Sequence, residues 1–167
     1  MLFPIGAQAD EPRGCDKFKW PVAHEQAALL GEAKPRIDSG GAIAIDSAAI
    51  FRLVPYANAH FLLAPTRAPK SPSSNAGVAT APAPAAGLYK VSLSEAGWIE
   101  IVQDGAFVKS SNFSGALDCP GLRKIVEFPL AAKPFTIEVS GVDKAELSLI
   151  VSPESGGAGG AAEREAP

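Results

Sequence analysis

Residues 135–151 read FTIEVSGVDKAELSLIV, and this stretch decides the fold class. In the first run, apolar residues at 135, 137 and 139 alternate with polar ones; in the second, apolar residues at 147, 149 and 151 alternate with Glu146 and Ser148. A short segment that begins with Gly141 separates the two runs. Because successive side chains of a β-strand point to opposite faces, this period gives each run one buried face and one wet face. The apolar members are Phe135, Ile137, Val139, Leu147, Leu149 and Val151. The stretch therefore predicts two half-buried strands.

The same period recurs toward the N-terminus. Between two of the runs, Asp104-Gly105 favours a type I′ hairpin turn, because both central positions of that turn need positive φ. The further predicted strands are 42–45, 50–54, 60–63, 88–93, 98–102, 107–109 and 124–128. Roughly seven to nine short strands at this spacing predict a mainly β fold, an antiparallel β-sandwich or jelly-roll.

One short N-terminal helix is predicted before the strands. Pro21 suits the first turn of a helix and Gly31 suits its end, so residues 22–30 are expected to be helical. Their apolar side chains recur on one face, which would pack against a sheet.

Composition and charge narrow the class of protein. The chain has 16 glycines and 15 prolines in 167 residues, yet Leu, Ile, Val and Phe still make up about a quarter of it, enough to bury a core. The formal net charge of −3 argues against a nucleic-acid partner, which requires a dense basic surface. The sequence lacks a run of about 18 apolar residues, so no transmembrane segment is expected.

The N-terminal sequence and the two cysteines predict the cellular compartment of the protein. Residues 1–9 read MLFPIGAQA, and the last three fit the small-x-small pattern that precedes a signal-peptidase cut. We interpret them as the remnant of an export signal; the alternative is an ordinary N-terminus of an alanine-rich chain. Cys15 and Cys119 lack partners at zinc-site spacing, and an even cysteine count in an exported chain predicts one disulfide. The alternative is two reduced, buried thiols. The predicted location is periplasmic or secreted.

The predicted domain organisation has three parts. After the export remnant, residues 10–152 form a single β-sandwich domain, and residues 153–167 form a flexible tail without large apolar side chains. Within the domain, residues 66–86 are rich in proline and alanine and are expected to form a long loop, with at most a short strand at 77–80.

Several of these segments resemble known bacterial domains. The runs GLYKVSL at 87–93, WIEI at 98–101, FTIEVSG at 135–141 and LSLIV at 147–151 are similar in rhythm to bacterial pre-peptidase C-terminal-like domains. The segment CDKFKW at 15–20 resembles a Cys-Asp-x-Phe-x-Trp segment of small exported β-sandwich proteins of proteobacteria. The resemblance implies an exported β-sandwich that accompanies a secreted enzyme or binds a surface. The acidic metal-binding loop of some such domains has no counterpart here, so no calcium site or other cofactor is implied.

Catalytic motifs are missing from the sequence. It contains neither a Gly-x-Ser-x-Gly elbow nor a Ser-x-x-Lys motif nor a phosphate-binding glycine loop, and no catalytic or metal-ligating residues are predicted. A cupin-like iron site would use closely spaced ligands, but neither His24 nor His60 has a histidine or carboxylate two residues further on. A metal-dependent, cupin-like dioxygenase on a jelly-roll is therefore only the alternative function.

Three residues are candidates for ligand binding. Trp98 and Glu100 share the face of their strand that alternation predicts to be wet, and an exposed tryptophan among polar groups can stack on a sugar or anchor a protein. The alternative is that the N-terminal segment or the helix covers Trp98. Tyr89 falls on the core face, where its hydroxyl needs a partner. The leading hypothesis is a non-catalytic binding or accessory module without a cofactor, whose partner is a protein or glycan of the cell envelope. A purely structural envelope subunit is a third possibility.

Overall fold

The computed structural model describes residues 11–154, and it confirms the predicted mainly β fold with one α-helix. Helix α1 spans Ala23–Leu30, close to the predicted bounds, and two short 3-10 helices span Cys15–Lys17 and Tyr56–Asn58. The strands are β1 (Arg36–Asp38), β2 (Ala49–Arg52), β3 (Val54–Pro55), β4 (Asn75–Ala81), β5 (Gly87–Leu93), β6 (Trp98–Gln103), β7 (Ala106–Phe107), β8 (Asn112–Gly115), β9 (Lys124–Leu130), β10 (Phe135–Val142) and β11 (Glu146–Pro153). The predicted export remnant at 1–9 lies outside the described residues. So does the predicted tail, except for its first two residues, of which Pro153 ends β11.

The strands form two sheets that face each other. One sheet has the order β1-β2-β11-β5-β9-β8 and the other has the order β3-β4-β10-β6-β7. Neighbouring strands run antiparallel except for β1 and β2, which are parallel. Between β6 and β7, Asp104 and Gly105 have φ of 53° and 76°, so the predicted hairpin turn is confirmed.

The strand pairs are nested along the chain. Strand β2 pairs with β11, β4 with β10, β5 with β9, and β6 with β7, so that early strands find late partners and the innermost pair is the hairpin. The longer strands from β4 to β6 and from β9 to β11 also alternate between the two sheets. Each sheet is therefore assembled from both halves of the chain.

The main core lies between the sheets. Its fully buried side chains come from alternating positions of the long strands, as the period of two predicts. They include Phe51, Val91, Leu93, Ile101, Ile137, Val139, Leu149 and Val151. The apolar faces of β10 and β11, which decided the predicted fold class, both point into this core.

A second apolar cluster lies on the outer face of the six-stranded sheet. Helix α1 and the N-terminal segment pack there against side chains of that sheet and of the loop before β9. The main members are Phe18, Val22, Leu29, Leu122, Ile125 and Ile150. The predicted disulfide is present: Cys15 and Cys119, with Cα atoms 4.8 Å apart, join the N-terminal segment to that loop.

Five predictions about secondary structure differ from the structure. The predicted strand 50–54 is divided between β2 and β3, which belong to different sheets, and the predicted strand 107–109 is reduced to the two-residue β7. Residues 42–45 make only an isolated bridge, and residues 60–63 form no strand. Inside the predicted loop 66–86, β4 is a full seven-residue strand rather than a short one at 77–80.

The composition of β4 explains why its strand is hard to predict. Gly77 has no room for a side chain because the ring of Phe51 lies against it; a Cβ there would come within 2.7 Å of Phe51 Cζ. Its neighbours Ala76 and Ala79 are fully buried. Ala and Gly have low strand propensity, and here pairing with β10 outweighs it.

Candidate functional site

The structure brings two of the three candidate residues together and separates the third. Trp98 and Glu100 lie on the outer face of the five-stranded sheet, as their alternation with Ile99 and Ile101 predicts. Tyr89 belongs to the other sheet and points into the core, where its hydroxyl donates to the carbonyl of Ala85 at 2.6 Å. The hydroxyl therefore has the partner that its burial requires, and Tyr89 is not part of the same surface as Trp98.

A segment of the chain covers part of this outer face. Residues 60–67, here called the strap, lie over β6 and β10. Thr66 donates to Glu100 twice, from its backbone N–H at 2.8 Å and from its hydroxyl at 2.7 Å. The backbone N–H of Leu63 donates to Glu138 Oε1 at 3.1 Å. Two sheet carboxylates thus satisfy donors of a segment that has no secondary structure of its own.

The two carboxylates that hold the strap are direct neighbours. Glu138 of β10 and Glu100 of β6 are paired in register, and both are buried beneath the strap. Like charges placed opposite each other destabilise a sheet. Burial raises the pKa of the Glu138 carboxyl and Glu100 raises it further, while the N–H groups of Leu62 and Leu63 act in the opposite direction. Within residues 11–154, Glu138 Oε2 has no hydrogen-bond partner.

Two cations flank the ring of Trp98. The guanidinium carbon of Arg67, in the strap, lies 5.1 Å from the indole ring centroid, and Lys124 Nζ lies 5.5 Å from it. Both distances are within the range of cation–π contacts. Lys124 comes from the first residue of β9, in the other sheet, and its ammonium donates to the carbonyl of Gly97 at 2.8 Å. Trp98 thus sits where the two sheets and the strap meet.

The surroundings of these cations are electropositive. Burial lowers the pKa of Lys124, and the neighbouring Arg67 and Arg123 lower it further. Arg123 is paired with Glu11 at 2.8 Å, whereas Arg67 and Lys124 form no ion pair with any described residue. The indole Nε1 of Trp98 is buried and has no acceptor in the same part of the chain.

The sequence leaves open the alternative that the N-terminal segment or the helix covers the side chain of Trp98. Both of those elements pack on the six-stranded sheet, on the opposite side of the sandwich. Trp98 is instead covered in part by Arg67 and Lys124, and it remains partly exposed.

The two histidines lie on different elements, His24 on α1 and His60 in the strap. His24 is on α1, outside the six-stranded sheet, where its Nε2 lies 2.7 Å from Asp46 Oδ1, and this hydrogen bond raises the pKa of His24. His60 is exposed in the strap. Among the described residues, no three histidines, cysteines, aspartates or glutamates are grouped so as to hold a metal ion.

A buried polar cluster under α1 was not predicted from the sequence. Lys90 Nζ lies 2.9 Å from Glu25 Oε1, and both side chains are almost completely buried. The hydroxyl of Ser152 also donates to Glu25, at 3.2 Å. Alternation placed Lys90 on a wet face, and nothing in the spacing of the sequence indicates that α1 covers it. We interpret this pair as the anchor of α1 on the sheet.

The comparisons with known proteins give no relative for the chain: neither a family model nor a curated protein nor a solved structure matches it. In the part of the chain from 11 to 154, no helix has the length and apolar character needed to cross a bilayer.

Proposed function

We propose that the protein is an exported, non-catalytic binding or accessory module that acts in the periplasm or at the cell surface. Its partner is a glycan or protein of the cell envelope, and Trp98 is the centre of the binding site. This is also the role implied by the resemblance to pre-peptidase C-terminal-like domains.

The observation that carries the proposal is the setting of Trp98. A large aromatic side chain is held partly exposed by a sheet, with polar and charged groups on its sides. Aromatic side chains of this kind supply much of the binding energy of many interfaces, since they bury a large area and have few rotamers to lose. Trp98 is not part of the core, to which β6 contributes Ile99 and Ile101 instead.

Two further observations support the compartment and the architecture. The Cys15–Cys119 disulfide supports an oxidising compartment, since disulfides persist mainly in exported proteins. The nested strand pairs support a jelly-roll, the double-sheet architecture of many lectin domains and of cupins. The fold alone does not decide whether such a protein binds a ligand, as lectins do, or is an enzyme.

The cupin-like enzyme has less support than the binding module. Within residues 11–154, neither His24 nor His60 belongs to a group of three potential metal ligands. No observation on the described residues favours the enzyme over the module.

A binding assay with variants tests the proposal. The protein is immobilised and probed with a panel of envelope glycans and with periplasmic extract from the source cells. We expect a specific ligand whose affinity falls at least tenfold in Trp98→Ala. Phe113→Ala is the matched control, because Phe113 is a highly exposed aromatic residue of β8 in the other sheet. Binding that survives Trp98→Ala, or no binding at all, would contradict the proposal; the second outcome would favour a purely structural subunit.

A further inference from the structure

We propose that this site recognises the acidic group of an anionic glycan, and that Arg67 and Lys124 hold that group beside Trp98. The inference rests on the proposed function, since it names the ligand class of the same site.

The first argument is the local charge balance. Arg67 and Lys124 are drawn to one indole ring, and neither has an acidic partner among the described residues. On the same face of the sheet, Glu100 and one oxygen of Glu138 accept hydrogen bonds from the strap, and neither carboxylate forms an ion pair with Arg67 or Lys124. Holding like charges together is unfavourable unless an opposite charge offsets them. An anion bound between the two cations would supply that charge.

The second argument is the supply of free hydrogen-bond donors. An ammonium group has three donors, and Lys124 uses one of them on the carbonyl of Gly97. The remaining two are held close to the ring, because that bond fixes the end of a flexible side chain. Arg67 is exposed, and its guanidinium makes no hydrogen bond to another described residue. Arginine forks bind carboxylate, sulfate and phosphate groups with two parallel bonds.

The third argument is the position of Arg67 in the strap. The preceding residue, Thr66, is fixed to Glu100 by two hydrogen bonds, so the backbone that carries Arg67 is anchored to the sheet. The cation is therefore placed over Trp98 before any ligand binds, which lowers the entropy lost on binding.

A glycan fits the site better than a protein partner does. A stable protein interface buries about 800 Å² on each side around an apolar centre. Of the four exposed large apolar side chains in the described part, only Leu62 belongs to the strap. The others belong to the six-stranded sheet or to α1: Leu30, Leu88 and Phe113. One aromatic ring with two cations matches the size of a sugar that bears a single acidic group.

Titration calorimetry and tryptophan fluorescence test the inference in a Trp20→Phe background, which leaves Trp98 as the reporter. The probes are uronate oligosaccharides (galacturonate, glucuronate and mannuronate trimers), a neutral galactose trimer, and inorganic phosphate. We expect a uronate trimer to bind at least tenfold more tightly than the neutral trimer, with an affinity that falls as sodium chloride is raised. Arg67→Gln and Lys124→Gln should each weaken this binding at least tenfold. Lys70→Gln, which removes an exposed charge from the same chain segment, should change it less than twofold.

Thermal melts of the variants distinguish a loss of binding from a loss of folding. The conservative variant Arg67→Lys keeps the positive charge and should retain part of the affinity for the uronate trimer. Equal binding of neutral and acidic trimers, abolished by Trp98→Ala, would overturn the inference but leave the proposed function standing. The same holds if only an envelope protein is captured through Trp98. Phosphate binding without any uronate binding would indicate an adventitious ion only, and it would overturn the inference, as would the absence of all binding.

Discussion

Reduction of the Cys15–Cys119 disulfide should lower the free energy of unfolding by several kcal/mol. The two cysteines are 104 positions apart, so the bond closes a loop that spans most of the domain. In the chain-entropy model, a loop of this length restricts the unfolded chain by about 4.8 kcal/mol at 25 °C. Since small domains are stable by only about 5–15 kcal/mol, the bond supplies a large part of the total.

Guanidinium unfolding followed by circular dichroism measures this effect. The oxidised protein is compared with the same protein kept reduced and with Cys15→Ala/Cys119→Ala. The reduced chain isolates the cross-link, and the double variant adds the cost of lost contacts at the largely buried Cys119. The dependence of the free energy on denaturant should become steeper on reduction, because the unfolded chain expands and exposes more surface.

A different result is expected if the disulfide only holds the N-terminal segment in place. The N-terminal segment also binds the rest of the fold without the bond: the backbone N–H of Gly14 donates to Leu117, and the N–H of Leu117 donates to Pro12. If the disulfide only fastened this segment, reduction would loosen residues 11–20 and leave global unfolding almost unchanged. A loss below about 1 kcal/mol with an unchanged denaturant slope would refute the unfolded-chain argument.

Three further outcomes follow from side chains described above. Lys90→Met leaves the buried Glu25 without its cation and should destabilise the protein by about 3–5 kcal/mol in denaturant unfolding. The double variant Glu25→Gln/Lys90→Met removes the unpaired charge and should recover much of this loss. A double variant that is no more stable than Lys90→Met would contradict this explanation. Because burial raises the pKa of Glu138, the folded protein holds this proton more tightly than the unfolded chain does, so stability should fall as pH rises from the ordinary value of 4.5 through the raised one. Thermal melts should show a smaller fall in Glu138→Gln, and a profile parallel to that of the wild type would count against the assignment. Gly105→Ala should cost about 1 kcal/mol, since φ of 76° strains any residue with a Cβ, and an unchanged melting temperature would show that the turn adapts.

The strands with one apolar face were predictable from the sequence. The structure and the prediction agree within about two residues for the bounds of β5, β6, β9, β10 and β11. When one face of a strand is buried, apolar residues recur at every second position, and this pattern is visible in the sequence. The hairpin turn was predictable for a local reason as well, since Asp104-Gly105 tolerates positive φ. Strand β4 was not predictable over its full length, because its Ala and Gly residues show no apolar–polar period and Gly77 is constrained by its contact with Phe51.

The candidate site was predictable only in part. Alternation placed Trp98 and Glu100 on one face, but it also predicted that this face is wet, whereas Glu100 is buried under the strap. Alternation within a strand says which side chains share a face and not what covers that face. Arg67 and Lys124 reach Trp98 from a loop and from the other sheet, and no spacing in the sequence links them to it.

The nested order of the strand pairs has a consequence for how the chain folds as it is made. Strand β2 needs β11, and β4 needs β10, so neither sheet can be completed before the last strands have been synthesised. Pairing between distant segments is slow, since the loop must close before the contacts form. Cys15 likewise cannot form its disulfide until Cys119, 104 positions further along, has been synthesised. Neither sheet therefore reaches its native set of strands until nearly the whole chain has left the ribosome.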